Sequence, residues 1–542
     1  MRAALTLAAS LWAATTLADG PRDESFAQHA ARVEVGPISE LLVQNHGRAQ
    51  PFDSVAREAM TFLTGEHEPF GLPPVQSYLG YLSFPGQGKL ELIELRDAEV
   101  RDQLGQPGDQ RYFSLEELSK ANLERRARPV LQKEASGAPL TSAERGLAEA
   151  FRQYALAREL ASGGHLLHAV DLSGAGPRGP LVESARQYLK SVQSGAADAK
   201  AGAQALVKAS LEQVSPDDAA RLAPRFAVEL FLNRTPVAGM TGWACLLAAA
   251  LLLVPRLRRA PPALASALVS VPLALQAVAL GARSYVTGLL DAMSLHASVT
   301  WVALGAAVVG AVAWLRSRNA PLASAGLGVS GLLLLLAASS PVSLKAGLDT
   351  DFGVLRSNFW LSLHVLACCA AYTGVLAAAA RADALLASML VKRAPAEVEA
   401  SAAAQVMRLL EASAALLVVG LLAGGLWAER AWGRFWGWDP KESWALVLAL
   451  GLWAMLEARR QGWLSPFGTL LAAPLAFLGV LVSWYGVNVA WATGLHAYGF
   501  ASGGAVIISA VAGAQVLLLA AVMAVRNRDQ KPVMMKRDTN GE

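Results

Sequence analysis

Charge is scarce in this sequence: 17% of its 542 residues are Asp, Glu, Lys or Arg, while 54% are hydrophobic. A chain this long, this apolar and this poor in charge does not fit the ordinary soluble class and reads as a membrane protein. No excess of one sign compensates. The 47 Lys and Arg face 43 Asp and Glu, a net of +4, so nothing argues for nucleic acid as a partner. Cysteine is scarcer still. Cys245, Cys368 and Cys369 are the only three, and each sits inside an apolar run, which argues against a disulfide framework. Cys-x-x-Cys is absent, which excludes a thiol oxidoreductase built on that motif and a cytochrome with heme attached through Cys-x-x-Cys-His.

What is present divides into two halves. Arg2, the apolar stretch Ala3–Leu17 and small residues ahead of Asp19 predict a signal peptide over residues 1–18, with an uncleaved anchor as the alternative. Residues 19–234 are charge-rich and carry helical patterns such as Ser114-Leu-Glu-Glu-Leu and Thr141-Ser-Ala-Glu-Arg, predicting a mostly helical exported domain. Gly and Pro clusters at Gly71, at Phe84-Pro-Gly and over Gly174–Pro180 mark its loops. Within it, Gly47-Arg48-Ala-Gln-Pro51-Phe-Asp53-Ser-Val-Ala-Arg57-Glu58 places Asp53 and Arg57 at helical spacing, which suffices for a structural role. His165 and His168, three apart, could share a metal, although no third ligand stands near them.

From residue 235 to 530, uncharged runs near the ~20 residues needed to cross a bilayer alternate with short polar loops. Nine spans are predicted, near 237–255, 261–282, 296–315, 320–342, 360–380, 409–428, 443–458, 464–486 and 503–525, followed by a tail at 531–542. The fold class is therefore an all-α integral membrane protein preceded by a helical exported domain. Arg256/Arg258/Arg259, Arg316/Arg318, Lys392/Arg393, Arg459/Arg460 and Arg526/Arg528 fall on one side, which the positive-inside rule makes cytoplasmic. Four loops then lie outside: 283–295, 343–359, 429–442 and 487–504. The N-terminal domain is outside, the C-terminus is in the cytoplasm, and the membrane is the bacterial inner membrane.

The loop between Trp427 and Trp444 holds five Trp and a Phe within eighteen residues. Tryptophan gathers at membrane interfaces. An interfacial belt, however, requires neither glycines alternating with the rings nor the Asp439-Pro-Lys-Glu442 that follows. Flat rings with glycine between them suit a large planar ligand that the backbone must approach closely.

The segment Trp432-Gly433-Arg434-Phe435-Trp436-Gly437-Trp438-Asp439 resembles the W-G-x-x-W-x-W-D signature of the heme-handling family of cytochrome c biogenesis. Its continuation Pro440-Lys-Glu-Ser-Trp-Ala-Leu446 is more similar to the CcsA (ResC) branch than to the CcmC or CcmF branches. The segments Leu355–His364 and Gly486–Phe500 extend the resemblance, which covers about residues 235–525 and is weak near Arg283–His296. It implies that His364 and His496 are axial ligands of heme b. Trp432, Gly433, Trp436, Gly437, Trp438 and Asp439 would complete the binding site, and Arg434, Lys441, Arg356 and Arg283 would be available to the propionates. No catalytic side chain is expected, because the thiols of apocytochrome c attack the heme vinyls. The implied function is the membrane component of a cytochrome c heme lyase (holocytochrome c synthase), with a ResB-like (CcsB) membrane partner and thiol-reducing proteins beside it. A heme exporter without ligation activity, or a heme-bearing subunit of a redox complex, are the alternatives. His296, near a family tyrosine, reads as structural. Glu457 stands where the family carries a histidine near the cytoplasmic end of a span, and reads as an interfacial carboxylate beside Arg459 and Arg460.

Overall fold

The computed structural model describes residues 23–170 apart from 34, 46, 107, 137 and 139, and residues 180–194, 199–255, 262–288, 290, 294–339, 359–487 and 505–538. The predicted signal peptide, nearly all of the loop at Gly174–Pro180 and most of the predicted outer loops 343–359 and 487–504 lie outside these residues. Two compact units result, one within Met1–Pro236 with Ala282–Gly288, the other within Val237–Gly281, Leu289–Ala338 and Phe352–Glu542.

The first unit is mostly helical, and its helices begin where the sequence places caps. Ser114 accepts from the Glu117 amide while the Glu117 carboxylate accepts from the Ser114 amide, and Thr141 and Glu144 repeat this reciprocal box. Apolar side chains including Phe26, Phe52, Tyr78 and Phe113 form one core. Two short antiparallel pairs were not predicted. The first joins β1 (Leu42–Asn45) to β2 (Arg48–Pro51), with Leu42 opposite Pro51, and the second pairs Ile93–Glu94 with Tyr112–Phe113. At two to four residues each, they are too short to announce themselves by alternation.

The Gly47–Glu58 segment gains a structural account. Arg48 leaves β2 to meet Glu229 through both guanidinium nitrogens, at 2.7 and 2.9 Å. Ser54, in α1 (Phe52–Thr64), donates to the same carboxylate at 2.6 Å. Glu229 belongs to α2 (Pro216–Arg234) and is only 1% exposed. One turn on, Asn233 donates to Asp53 at 3.0 Å, and Asp53 also lies 3.8 Å from Arg57. The segment therefore clasps α2, a long-range task that sequence spacing alone does not reveal. His165 faces Tyr78 at 3.0 Å and His168 faces Glu159, so the pair does not converge as a metal site.

From Val237 onward, α3 (Val237–Leu253), α4 (Pro262–Thr287), α5 (Leu295–Ser317), α6 (Ala320–Ser339), α7 (Phe359–Met389), α8 (Ala396–Trp432), α9 (Pro440–Arg460), α10 (Pro466–Leu481) and α11 (Ala505–Asp538) correspond to the nine predicted spans, all within the second unit save the last residues of α4 from Ala282 and Ser339 at the end of α6. Among the described residues, seven are long and apolar enough to cross a membrane. Two fall short of the expected nine for separate reasons. The 17 residues of α3 rise only about 26 Å, less than the ~30 Å hydrocarbon core. In α9, Lys441, Glu442, Glu457, Arg459 and Arg460 dilute both ends. Conversely, α7 and α8 run for 31 and 37 residues, beyond their apolar windows, because helix propensity continues where hydropathy stops. The buried core of this unit is built largely from α7, α8, α9 and α10.

Candidate functional site

The tryptophan loop is the connection from α8 to α9, and its shape follows from its own side chains. Gly433 ends α8 in the left-handed region at φ +71°, its amide donating to the Glu429 carbonyl at 3.1 Å, a helix stop that favours glycine. At the other end Asp439 caps α9. Its Oδ1 accepts from the amides of Lys441 and Glu442, both at 3.0 Å, and Pro440 occupies the first helical position. The Glu442 carboxylate reaches back to the Gly437 amide at 2.6 Å, and Ser443 donates to the Trp438 carbonyl at 3.3 Å. Asp439 and Glu442 are buried. The Asp-Pro-Lys-Glu-Ser run is thus a clamp that fixes the backbone just behind the rings.

This clamp holds Trp438 at φ +57°, a conformation uncommon outside glycine, and leaves its side chain 70% exposed. Trp436 and Trp438 meet edge to face at 6.0 Å between centroids, and the Arg434 guanidinium fills the space a side chain at Gly437 would take. Trp432 stands against the buried Trp427 at 4.6 Å. The loop therefore has a packed inner pair and an outer pair of which Trp438 is exposed and Trp436 half-buried. The buried indole N–H of Trp436 has no acceptor among the described residues.

His364 lies near the start of α7, beside the end of α8 that carries the loop. Its Nδ1 is 2.7 Å from the Gly420 carbonyl oxygen. A carbonyl can only accept, so Nδ1 carries the proton and Nε2 of the neutral ring keeps its lone pair, the form that binds a metal. No hydrogen bond engages Nε2 among the described residues. Leu361 and Trp360 from the same turn of α7 pack with Trp427, Ala428 and Trp432, and Arg430 lies over the Trp360 ring at 5.4 Å.

A second polar group gathers at the same end of the bundle. After α10 the helix widens into a π turn at Val482–Gly486, a feature frequent at functional sites. Trp484 in this turn donates to Ser298 of α5 at 3.1 Å, and Tyr372 of α7 is 3.3 Å from Ser483. The starts of α5, α7 and α9 and the ends of α8 and α10 thus converge. Arg316, Lys392, Arg393, Arg459 and Arg460 occupy the opposite ends of these helices.

Of the residues predicted for the site, His364, Trp432, Gly433, Trp436, Gly437, Trp438 and Asp439 come together here. His496 and Arg356 lie outside the described residues, and Arg283 falls in the other unit. His296 is buried at the start of α5. Glu457 is at the far end, accepting from Gln461 at 2.6 Å. Sequence reasoning overlooked Gly420, Gly424 and Gly425, which line His364 and Phe435. Three glycines within six residues of a span, directly before the loop, were the available signal.

The family described as Cytochrome C assembly protein matches residues 243–496. The chain is 46% identical over 86 residues to cytochrome c biogenesis protein CcsA of Nostoc punctiforme, covering 16% of this chain and 24% of that one. It is 43% identical over 97 residues to the CcsA protein of Gloeobacter violaceus, covering 18% and 28%. With the CcsA protein of a Synechococcus species it shares 46% over 94 residues, covering 17% and 27%. The aligned stretch spans about a quarter of the length of each of these relatives. The family match falls within the membrane half of this chain, which is similar there to Cytochrome C assembly proteins, and the relatives it resembles are CcsA proteins.

Proposed function

We propose that this protein acts in cytochrome c biogenesis as the heme-holding membrane component of a cytochrome c synthase. The observation that carries the reading is His364. Its Nδ1 proton is engaged by a helix carbonyl and its Nε2 is left for iron, directly beside a rigid loop that presents an exposed tryptophan. The second axial ligand is His496, giving a six-coordinate bis-histidine heme b that is closed to oxygen. The rings of Trp436 and Trp438 receive the porphyrin edge, and the unpaired Trp436 indole suits an acceptor such as a propionate oxygen.

Heme is the substrate. Each thiol of an apocytochrome Cys-x-x-Cys-His adds across one vinyl group, sulfur to one carbon and hydrogen to the other, so thioether formation consumes no oxidant. The protein contributes position and a shielded site rather than a nucleophile. The incoming cytochrome histidine replaces one axial ligand. The thiols must arrive reduced, which calls for thiol-reducing proteins, and a ResB-like membrane subunit is the partner the family implies. Loop charges favour the inner membrane with the site and the N-terminal domain outside and the C-terminus in the cytoplasm.

The test is purification of the full chain followed by heme spectroscopy. Heme should co-purify in a low-spin six-coordinate form, and His364→Ala or His496→Ala should open one position that added imidazole refills. Two single variants with unchanged spectra would refute the ligand assignment. Incubating the loaded protein with reduced apocytochrome separates a synthase from an exporter: covalent heme on the cytochrome is expected, and transfer without thioether formation would exclude ligation.

A further inference from the structure

We propose that Gly424 and Gly425 are positioning residues, a socket on α8 that sets the direction of the axial imidazole and seats the tryptophan loop against the same turn of helix. The proposal rests on the reading of His364 as a heme ligand and goes beyond it by assigning what holds that ligand in place.

The geometry starts from a helix carbonyl. In an α-helix the C=O of residue i points along the axis toward residue i+4, whose Cβ ordinarily screens it from a neighbouring helix. His364 reaches the Gly420 carbonyl, so its ring must pass over residue 424. A Cβ there would stand 2.6 Å from Nδ1, 2.8 Å from Cε1 and 3.2 Å from Cγ of the ring. Only hydrogen fits. With any larger residue the ring must swing away from the carbonyl, losing both the hydrogen bond that fixes its tautomer and the aim of Nε2. Outer-shell partners of this kind orient a ligating histidine and raise its basicity.

The next residue performs the matching task for the loop. A Cβ on Gly425 would lie 2.5 Å from the Phe435 ring, and 2.7 and 2.8 Å from two further ring carbons. Phe435 stands between Trp432 and Trp436 and anchors the loop back onto the helix from which it departs. Adjacent glycines on one helix therefore receive the ligand and the loop side by side. Because α8 is continuous through Trp432, the distance between imidazole and tryptophans is set by one rigid element rather than by separate loops. Gly420 completes the approach: its own Cβ would stand 2.6 Å from the Cys368 sulfur, one turn along α7 from His364.

The experiment compares purified full-length wild type with Gly424→Ala, Gly425→Ala and, as a control, Gly451→Ala, a glycine with open space around its missing side chain. Readouts are heme per protein, the reduced low-spin spectrum, the heme midpoint potential and recovery with imidazole. Gly424→Ala should lose heme retention by roughly 10-fold or more, the range for removing an outer-shell partner. It should regain the low-spin spectrum with imidazole and shift the potential of the heme that remains. Gly425→Ala should lose heme without imidazole recovery, because the loop rather than the ligand is displaced. Gly451→Ala should behave as wild type. Wild-type heme content, spectrum and potential in Gly424→Ala would overturn the proposal while leaving His364 as a ligand. An unchanged spectrum in both His364→Ala and His496→Ala would instead overturn the ligand reading beneath it. If Gly424→Ala fails to accumulate, His364→Gly with Gly424→Ala removes the ring that the methyl strikes and should restore accumulation. No recovery in that double variant would show that the ring is not what Gly424 accommodates, and the socket would be refuted.

Discussion

Asp439 ends the tryptophan signature, and its burial under the loop makes a sharp prediction about why it is there. Its carboxylate accepts from two backbone amides of α9, each at 3.0 Å. Replacing an N-cap by alanine costs about 0.5–2 kcal/mol, and a buried carboxyl serving two amides belongs near the upper end. A loss of about 2 kcal/mol shifts the balance between the clamped and frayed loop roughly 30-fold. Asn is among the best cap residues and keeps an oxygen in the same place, so Asp439→Asn should cost only a few tenths of that figure. Two measurements on the detergent-purified protein read the difference. Tryptic nicking after Arg434 should quicken roughly 30-fold in Asp439→Ala, provided opening is fast relative to cleavage, and heme per protein should fall with it. Asp439→Asn should resemble wild type in both. An Asn variant as damaged as the Ala variant would show that negative charge, rather than capping, is what the position requires.

Three further outcomes are expected. Arg48→Met leaves the buried Glu229 carboxylate with Ser54 but without its cationic partner, at a cost of up to about 3–5 kcal/mol; thermal unfolding should show this loss, and adding Glu229→Gln should recover much of it, whereas a single variant as stable as wild type would exclude the clasp. Glu457→Gln should leave heme loading unchanged and Glu457→His should not lower it, since this carboxylate sits with Gln461 at the far end of α9; severe heme loss in the Gln variant at matched expression would give Glu457 a part in heme passage. Topology reporters near residue 230 and near Gly433 should report the outside and those near Arg393 and beyond Arg526 the cytoplasm, and an inside signal at Gly433 would exclude an outer heme site.

The fold class and the loop were legible in the sequence because each depends on local patterns. Apolar runs disclosed the membrane helices, Ser114 and Thr141 disclosed helix starts, and the spacing of Trp432, Trp436 and Trp438 disclosed the loop. What escaped depended on partners far along the chain. The Arg48–Glu229 pair bridges residues 181 apart, and the Gly420 carbonyl meets a histidine 56 residues earlier, so neither had a local signature. Span ends escaped for another reason: hydropathy measures what lipid tolerates, and α7 and α8 continue as helices after lipid has ceased to matter. The same distinction explains α9, which the sequence marks as a span over 443–458 and which continues past that apolar stretch at both charged ends, closing the loop at one and reaching Arg460 at the other.

The π turn at Val482–Gly486 carries a consequence for how this chain can change length. A π turn accommodates one residue more than an α-helical turn without ending the helix. Removing one residue there would return the turn to ordinary α-helical spacing and redistribute the side chains of Val482–Gly486 around the helix axis. Trp484 would then no longer face Ser298, nor Ser483 Tyr372. Between α7 and α8, by contrast, residues 390–395 form an exposed turn far from the loop, where an added residue meets little resistance. Insertions and deletions should therefore be tolerated at the basic end of the bundle and rejected at the tryptophan end, so that related chains differ in length at one pole and keep a fixed count at the other.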